Sequence, residues 1–403
     1  NARKILSSYT GVEASTIHRL LKIKPDNYEL ERSFSRMDTD KSANPLVDCR
    51  ILIIDEISFI DELLFDILMA EIPPNCIIIG LGNMDQLMPI PPKNAKGRNG
   101  VSKVYEAKLS PFFTDERFYK LGLTEIRRSN SPVAVISEAI RKKVITFPQK
   151  DYVNEAGDGV HVFHNIQDFL KVYYEKVQTP EDFKQNRIVA FSNADVDMLN
   201  SRIRRKIYDT TDEFVEGEIL VAQAPYFETD DENAYYENRL IHEEMLFQNG
   251  TYLEVISCSG YTEIIQIENL EPLEVRGYEL RVRELDVFFE AETDSIGEFT
   301  VNVLSYDSKD AYAQYIEMYA QELMNQKKRK ERPNWRMFYY FADKKFLDFK
   351  YLPACTIHKS QGITVDNLFY YVDFVRNMSD QDMARRLTYV AVTRSRYNSY
   401  LLY

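Results

Sequence analysis

Apolar side chains come in short runs along this chain, and the runs alternate with amphipathic stretches. After Arg50, the run Ile51-Leu52-Ile53-Ile54 stops abruptly at two acids, Asp55 and Glu56. Four branched or leucine residues in a row predict a strand buried on both faces, as in a parallel sheet. An amphipathic helix is predicted over residues 61–70, a second buried strand over 76–80, a third over 118–123 and a helix over 132–143. Residues 187–191 and 193–207 repeat the strand-then-helix order. Such alternation predicts an α/β fold in which helices flank parallel sheets.

Two stretches break the pattern. Residues 1–24 predict a helix, a strand or turn near Ala14 and a second short helix over 16–23, but residues 25–47 are polar and irregular around Phe34. That is too long for a simple loop, so a small hairpin protruding from the sheet is expected. From about Thr210 the alternation becomes strand-like, with short strands expected over 252–257, 262–267 and 279–289 and a helix over 310–330. A small β-barrel or sheet inserted into the second α/β unit accounts for this. The expected division is a first domain over 1–145 with its hairpin at about 25–48, a second domain over 146–212 and 350–403, and an insertion over 213–349.

Composition narrows the class. The 403 residues are enough for two or three domains, and 44% apolar with 28% charged is ordinary for a soluble globular protein. A net charge of −13 argues against wholesale nucleic-acid coating while leaving room for a local basic groove. Cys49, Cys76, Cys258 and Cys355 contain no C-x-x-C pair, and the five histidines show no ligand spacing. Reduced thiols in a cytosolic protein are expected, with no disulfide framework or zinc site. No apolar run approaches the roughly 20 residues of a membrane span.

The chemistry begins at Asp55 and Glu56, since ligands of open α/β sheets bind at the carboxyl ends of strands. One carboxylate can hold a hydrated Mg²⁺ while its neighbour polarises an attacking water, as nucleotide hydrolysis requires. The plainer alternative is a pair of helix N-cap acids. Gln86, in the loop after the second strand, is an amide able to bond both a γ-phosphate and a water. Arg128 and Arg394 are candidates for fingers reaching charge on a transferring phosphoryl group. Thr356, His358, Lys359, Ser360, Gln361 and Gly362 gather hydroxyl, cationic, amide and small groups suited to phosphates and sugars. His18 could face a nucleic-acid backbone and Phe34 could stack on bases. The basic run 327–330 reads more simply as a solvated helix face, and Trp335 as packing.

A phosphate-cradling loop of spacing G-x-x-x-x-G-K-S/T has no match. The nearest glycine-rich stretch, 97–100, runs into Val101-Ser102-Lys103 in the wrong order. As the chain also starts at Asn1 rather than methionine, the expectation is an N-terminally truncated protein whose P-loop lies just upstream.

In order, TIHRLL, ILIIDEIS, GNMDQLMPI, LTEIRRS, TIHKSQG and YVAVTRSR form a ladder that resembles the motifs of superfamily 1 DNA helicases. The RecD-like, 5′-to-3′ branch is the most similar, T-even phage members above all. The resemblance implies two RecA-like domains, a wedge hairpin in the first and an SH3-like insertion in the second. It implies ATP and Mg²⁺, with Asp55 as the Mg²⁺-associated acid, Glu56 as the base orienting water and Gln86 as the γ-phosphate sensor. Arg128, Arg394 and Gly362 would complete the nucleotide site. His18, Thr356, His358, Lys359 and Ser360 would grip single-stranded DNA, and Phe34 would be the aromatic of the wedge.

Single-stranded and forked DNA are the implied partners, with a replication protein such as a single-strand-binding protein beside them. A monomer acting in phage DNA replication or recombination, in the host cytoplasm, is implied as well. Gly82-Asn83 departs from the family's Gly-Asp, removing a charge but keeping an amide. The absent P-loop implies that the chain by itself is inactive. It also keeps open a rival from another class, a non-hydrolysing DNA-binding or scaffolding remnant, which the acid pair, Gln86 and both arginines oppose. A subunit of a RecD-type nuclease complex would need partner-binding domains that the sequence does not display.

Overall fold

The computed structural model describes residues 10–12, 14–21, 23–24, 35–36, 46–89, 108–123, 131–229, 233–237, 243–285 and 297–403. The chain divides into two compact bodies. The first comprises Ala2–Phe169 with Ile357–Tyr403, and the second Leu170–Thr356.

The first body opens with α1 (Ile17–Leu20) and an antiparallel pair, β1 (Ile23–Lys24) with β2 (Ser35–Arg36), where the protruding hairpin was expected. Phe34 lies outside the described residues. β3 (Ile51–Ile54) and β4 (Ile77–Gly80) then pair in parallel. Between them runs α2 (Glu62–Glu71), started by Asp61, whose carboxylate accepts the Leu64 N–H at 2.8 Å. α3 (Pro132–Arg141) starts at a Ser131 cap with proline in its first turn, and β5 (Tyr152–Val153) and β6 (Gly159–Phe163) follow.

The second body contains β7 (Asn186–Ala190), buried at every position, and α4 (Asn193–Ile207), capped by Ser192. Next come β8 (Ile219–Ala222), β9 (Tyr226–Thr229), β10 (Glu243–Phe247), β11 (Tyr252–Ile265), β12 (Leu273–Leu285) and β13 (Glu298–Leu304). The 23-residue α5 (Tyr306–Lys328), β14 (Phe349–Tyr351) and β15 (Ala354–Thr356) complete it. The chain then returns to the first body with β16 (Val365–Tyr371), α6 (Gln381–Val392) and β17 (Ser395–Leu402).

Parallel ladders join β16 to β17 and β17 to β6 in the first body, and β15 to β7 in the second. A five-stranded sheet in the order β13-β12-β11-β8-β14 is antiparallel throughout. Its core is Leu220, Leu253, Val255, Leu280, Val282, Val301 and Phe349. The α/β class with a β-rich insertion is therefore what the chain adopts.

The structure corrects several details. β3 and β4 are not buried on both faces. Leu52, Ile54 and Ile78 turn inward with Leu64, Phe65, Leu68 and Phe112, whereas Ile51, Ile53, Ile77 and Ile79 are 57%, 63%, 60% and 42% exposed. The physical reason is the two-residue period of a strand acting on a ladder covered on one side. Residues 118–123 form no strand. Tyr119, Leu121 and Leu123 stand open to solvent with no ladder partner among the described residues. The short strands expected at 252–257 and 262–267 are one 14-residue strand, bent by a bulge between Val255 and Ser257. Cys49 and Cys76, 27 residues apart, lie side by side with Sγ atoms 3.7 Å apart, both as free thiols, and burial pushes the Cys76 thiol up.

β11 and β12 make a long ribbon. β8 pairs only with Tyr252, Leu253 and Glu254 at one end, and β13 with 277–283. The far end is steadied by α5, whose Tyr315 hydroxyl donates to Ile265 O at 3.4 Å and accepts from Ile267 N at 3.3 Å.

A buried ion pair ties the two ends of the β-rich insertion together. The Arg204 guanidinium, on α4, donates from Nε and Nη2 to Glu218, the latter at 2.8 Å, and to the carbonyls of Asp212 and Glu213 at 2.8 and 3.1 Å. It also lies 4.0 Å over the Tyr351 ring, whose hydroxyl donates to Glu213 O. Burial pushes the Glu218 carboxyl up, against the pull of Arg204. Removing one partner of such a pair leaves an uncompensated charge. Arg204→Ala is therefore expected to lower unfolding stability by about 3–5 kcal/mol, read from the urea midpoint, while a double Arg204→Met, Glu218→Leu change recovers most of that loss.

Candidate active site

The acid pair is placed by two backbone hydrogen bonds to one residue. Leu81 N donates to Ile54 O at 2.8 Å and Leu81 O accepts from Ile57 N at 2.9 Å, so the β3–β4 ladder reaches past the end of the strands and brackets Asp55 and Glu56. Making that turn puts Glu56 at φ 53°, ψ 45°, the left-handed region that non-glycine residues enter at a cost of roughly 1–2 kcal/mol. Asp55 Oδ1 accepts from the Glu56 N–H at 2.9 Å, which fixes the first acid against the second. Asp55 is exposed and Glu56 half-buried. Neither is the cap of an α-helix; a single 3₁₀ turn, Ile57–Phe59, follows with no side-chain cap.

The loop bearing Gln86 departs from the same point. A Cβ on Gly82 would lie 2.6 Å from Ile57 Cγ1 and 3.3 Å from Ile57 N, so this close approach requires glycine. Asn83 closes the loop by accepting the Asp85 N–H on Oδ1 at 2.9 Å and the Gln86 N–H on its carbonyl at 3.1 Å. The Gln86 side-chain oxygen is buried without a hydrogen-bond partner. An orphaned acceptor costs about 1–3 kcal/mol and fits a ligand that brings a donor, such as a water.

α6 reaches the same loop. Asn83 Nδ2 donates to the Tyr389 hydroxyl at 2.9 Å, and Arg386 Nη1 donates to Met84 O at 2.5 Å and Gln86 O at 2.8 Å. Asp85 lies 3.6 Å from Arg385 and 4.0 Å from Arg141 on α3. Asp382 binds Arg385 at 3.1 Å and Arg386 at 2.7 Å. Burial opposes ionisation of Asp382, but Arg386 and Arg385 outweigh it and hold the carboxyl below its usual range. Hydrogen bonding from Arg141 holds Glu138 at about 2, with burial opposing and Lys142 assisting.

Arg394 follows α6 by two residues. Its guanidinium is buried and folded back, donating to Val390 O at 3.0 Å and Thr393 Oγ1 at 3.1 Å. Arg128 lies outside the described residues. Thr356 ends β15, and the 3₁₀ turn His358–Ser360 follows. Lys359 is exposed, and burial pushes the His358 imidazole down, leaving it neutral at pH 7. Ser360 is fully buried, its hydroxyl donating to Ile357 O at 2.7 Å, so it shapes the turn. Gly362 takes φ 78°, a left-handed bend with open space around it. His18 sits on α1; its side chain lies outside the described set.

Asp55, Glu56 and the Gln86 loop therefore share one end of the β3–β4 ladder, and the helix leading to Arg394 grips that loop. Sequence reasoning missed Arg386, Tyr389 and Asp85, whose roles depend on contacts about 300 positions away. It named Gln361 without giving it a role of its own, and both of its amide atoms are buried without a partner. Its place inside TIHKSQG was the available signal.

A family model described as the Dda helicase SH3 domain matches residues 211–350, and one described as an AAA domain matches residues 1–92. The ATP-dependent DNA helicase Dda of Enterobacteria phage T4 is 36% identical over 402 residues, 98% of this chain and 84% of the relative. Among solved structures, a Bacteroides Pif1 helicase in complex with ADP-AlF3 and ssDNA is 14% identical with a TM-score of 0.47, covering 98% of this chain and 80% of its own. Bacteroides Pif1 bound to ssDNA is 16% identical with a TM-score of 0.44, covering 98% and 84%. These two likenesses are too loose to support an argument about the site.

The depressed Glu138 carboxyl has a pH consequence. Its folded value of about 2 lies below the ordinary 4.5, so between those values the unfolded chain binds more protons than the folded one. Its stabilising contribution is complete above about pH 4.5 and is lost as the pH falls toward 2. Urea midpoints measured across that window should fall less steeply for Glu138→Gln than for the wild type.

Proposed function

This chain belongs to the Dda family of ATP-dependent DNA helicases, and from that premise we propose that the protein hydrolyses ATP to move 5′-to-3′ along single-stranded DNA and open forked duplex. The observation that carries the reading is convergence. An acid pair, held at a strand end by Leu81, meets a glutamine loop that starts at the next residue.

In this reading the half-buried Glu56 takes the proton of the attacking water, and the unpartnered Gln86 side-chain oxygen accepts from that water to orient it against the γ-phosphate. Asp55 would hold a hydrated Mg²⁺, which supplies charge neutralisation at the β- and γ-phosphates. Arg394 leaves its carbonyl and hydroxyl partners to meet charge developing on the transferred group, a role it shares with Arg128. Gly362 supplies the bend that lets backbone approach the nucleotide.

Grip on DNA comes from phosphate contacts by Thr356 and Lys359, with neutral His358 contributing hydrogen bonding or stacking rather than charge. Ser360 shapes the turn that presents them. His18 adds a contact from the first domain, and Phe34 separates bases at the wedge. We assign the first RecA-like domain to 1–145, the second to 146–212 with 350–403, and the SH3-like insertion to 213–349. A monomer serving phage replication or recombination in the host cytoplasm, alongside a single-strand-binding protein, completes the proposal. Among the described residues no helix is long and apolar enough to cross a membrane.

Glu56→Gln in the complete protein should reduce DNA-stimulated ATP hydrolysis by roughly 10²–10⁴-fold while fluorescent-nucleotide binding changes little. Unimpaired turnover in that variant would remove Glu56 from the role of base. For polarity, the enzyme should displace streptavidin from a 3′-biotinylated oligonucleotide far faster than from a 5′-biotinylated one. The reverse preference would exclude 5′-to-3′ movement.

A further inference from the structure

We propose that Arg386 is a positioning residue that yokes Gln86 to Arg394, so that the two groups approach a nucleotide as one unit. This rests on the helicase reading above. One guanidinium nitrogen, Arg386 Nη1, donates to two main-chain carbonyls, Met84 O at 2.5 Å and Gln86 O at 2.8 Å. Those carbonyls flank Asp85, so the arginine holds the backbone from which the Gln86 side chain projects. A side-chain contact would tolerate sliding; a shared grip on two carbonyls does not.

The arginine is itself held in place. Asp382, one helical turn earlier, accepts from Arg386 Nε at 2.7 Å and from Arg385 at 3.1 Å. Arg385 is buried, and its Nη1 lies 3.6 Å from Asp85 Oδ1, without a hydrogen bond of its own. Asn83 adds a further tie through the Tyr389 hydroxyl. The loop is thus fastened to α6 at Asn83, Met84, Asp85 and Gln86.

Arg386 and Arg394 are eight positions apart on α6 and the two residues beyond it, roughly 12 Å at 1.5 Å per helical residue. Arg394 is bound to the last turn of the same helix through Val390 O and Thr393 Oγ1. A movement of α6 therefore carries both the Gln86 backbone and the Arg394 mount. A catalytic arrangement misplaced by about 1 Å can lose on the order of 10²-fold in rate, so loosening the grip should be felt in turnover before nucleotide binding.

The test compares wild type, Arg386→Ala and Arg386→Lys in the full-length protein, measuring single-strand-stimulated ATP hydrolysis and hydrogen exchange. With alanine, kcat should fall by about 10–100-fold with KM for ATP changed less than about threefold. Exchange of the Asp85 and Gln86 amides should rise by about tenfold, while Tm stays within a few degrees. Lysine, which cannot reproduce the planar fork, should restore part of kcat and part of the protection. Should the alanine protein fail to fold, the lysine variant alone decides by the same kcat-against-KM split. Wild-type kcat with unchanged exchange in Arg386→Ala, beside an active wild type, overturns the yoke. So does an equal fall in kcat, 1/KM and Tm across both variants. A wild type with no DNA-stimulated hydrolysis would instead remove the helicase reading.

Discussion

Everything proposed for the acid pair depends on the two backbone hydrogen bonds of Leu81. Its N–H and C=O close onto Ile54 and Ile57, leaving Asp55 and Glu56 looped out between fixed points. The chain has too little length there for ordinary backbone, so Glu56 is forced into the left-handed region. Gly82 is needed because Ile57 occupies the space that a side chain would take. The strand end is thus a rigid mount, and the loop carrying Gln86 inherits that rigidity because it begins at the next residue. Energy stored in a constrained backbone at a reactive carboxylate is common where geometry matters more than local stability.

Two arginines fasten the structure in different ways. Arg204 meets a buried carboxylate, two carbonyls and an aromatic face. Arg386 divides itself between one carboxylate and two neutral carbonyls. The carboxylate that Arg204 meets is 1% exposed and the one that Arg386 meets is 43% exposed, so water screens the second pair more than the first. The first joins the two ends of the insertion, and the second holds the Gln86 loop against α6.

Much of the architecture was legible in the chain because it is local. The β3 run and its acids, the helices starting near 61, 132 and 193, and the change of period after Thr210 each declare themselves within a few residues. What failed to show is long-range or two-sided. Ile51 and Ile53 read as buried because sequence records hydrophobicity, not which face finds cover. The stretch 118–123 has strand chemistry yet pairs with nothing among the described residues, since pairing depends on a neighbour and not on propensity. Two expected strands fused into β11 because Ser259-Gly260 reads as a turn but continues opposite Tyr278 and Glu279. The partners of Asn83 and Arg386 lie about 300 positions distant, beyond the reach of any local pattern.

The β11–β12 ribbon has a mechanical consequence. Fourteen residues of strand extend roughly 45 Å at about 3.3 Å each; β8 holds the ribbon at 252–254 and β13 at 277–283, which leaves the four pairs 262–265 with 273–276 beyond them, roughly 13 Å. Bending by about 5° beyond those pairings would sweep the tip through roughly 1 Å. The Tyr315 hydroxyl, bridging Ile265 and Ile267 to α5, acts there as a guy-line that sets how stiffly such a lever transmits force.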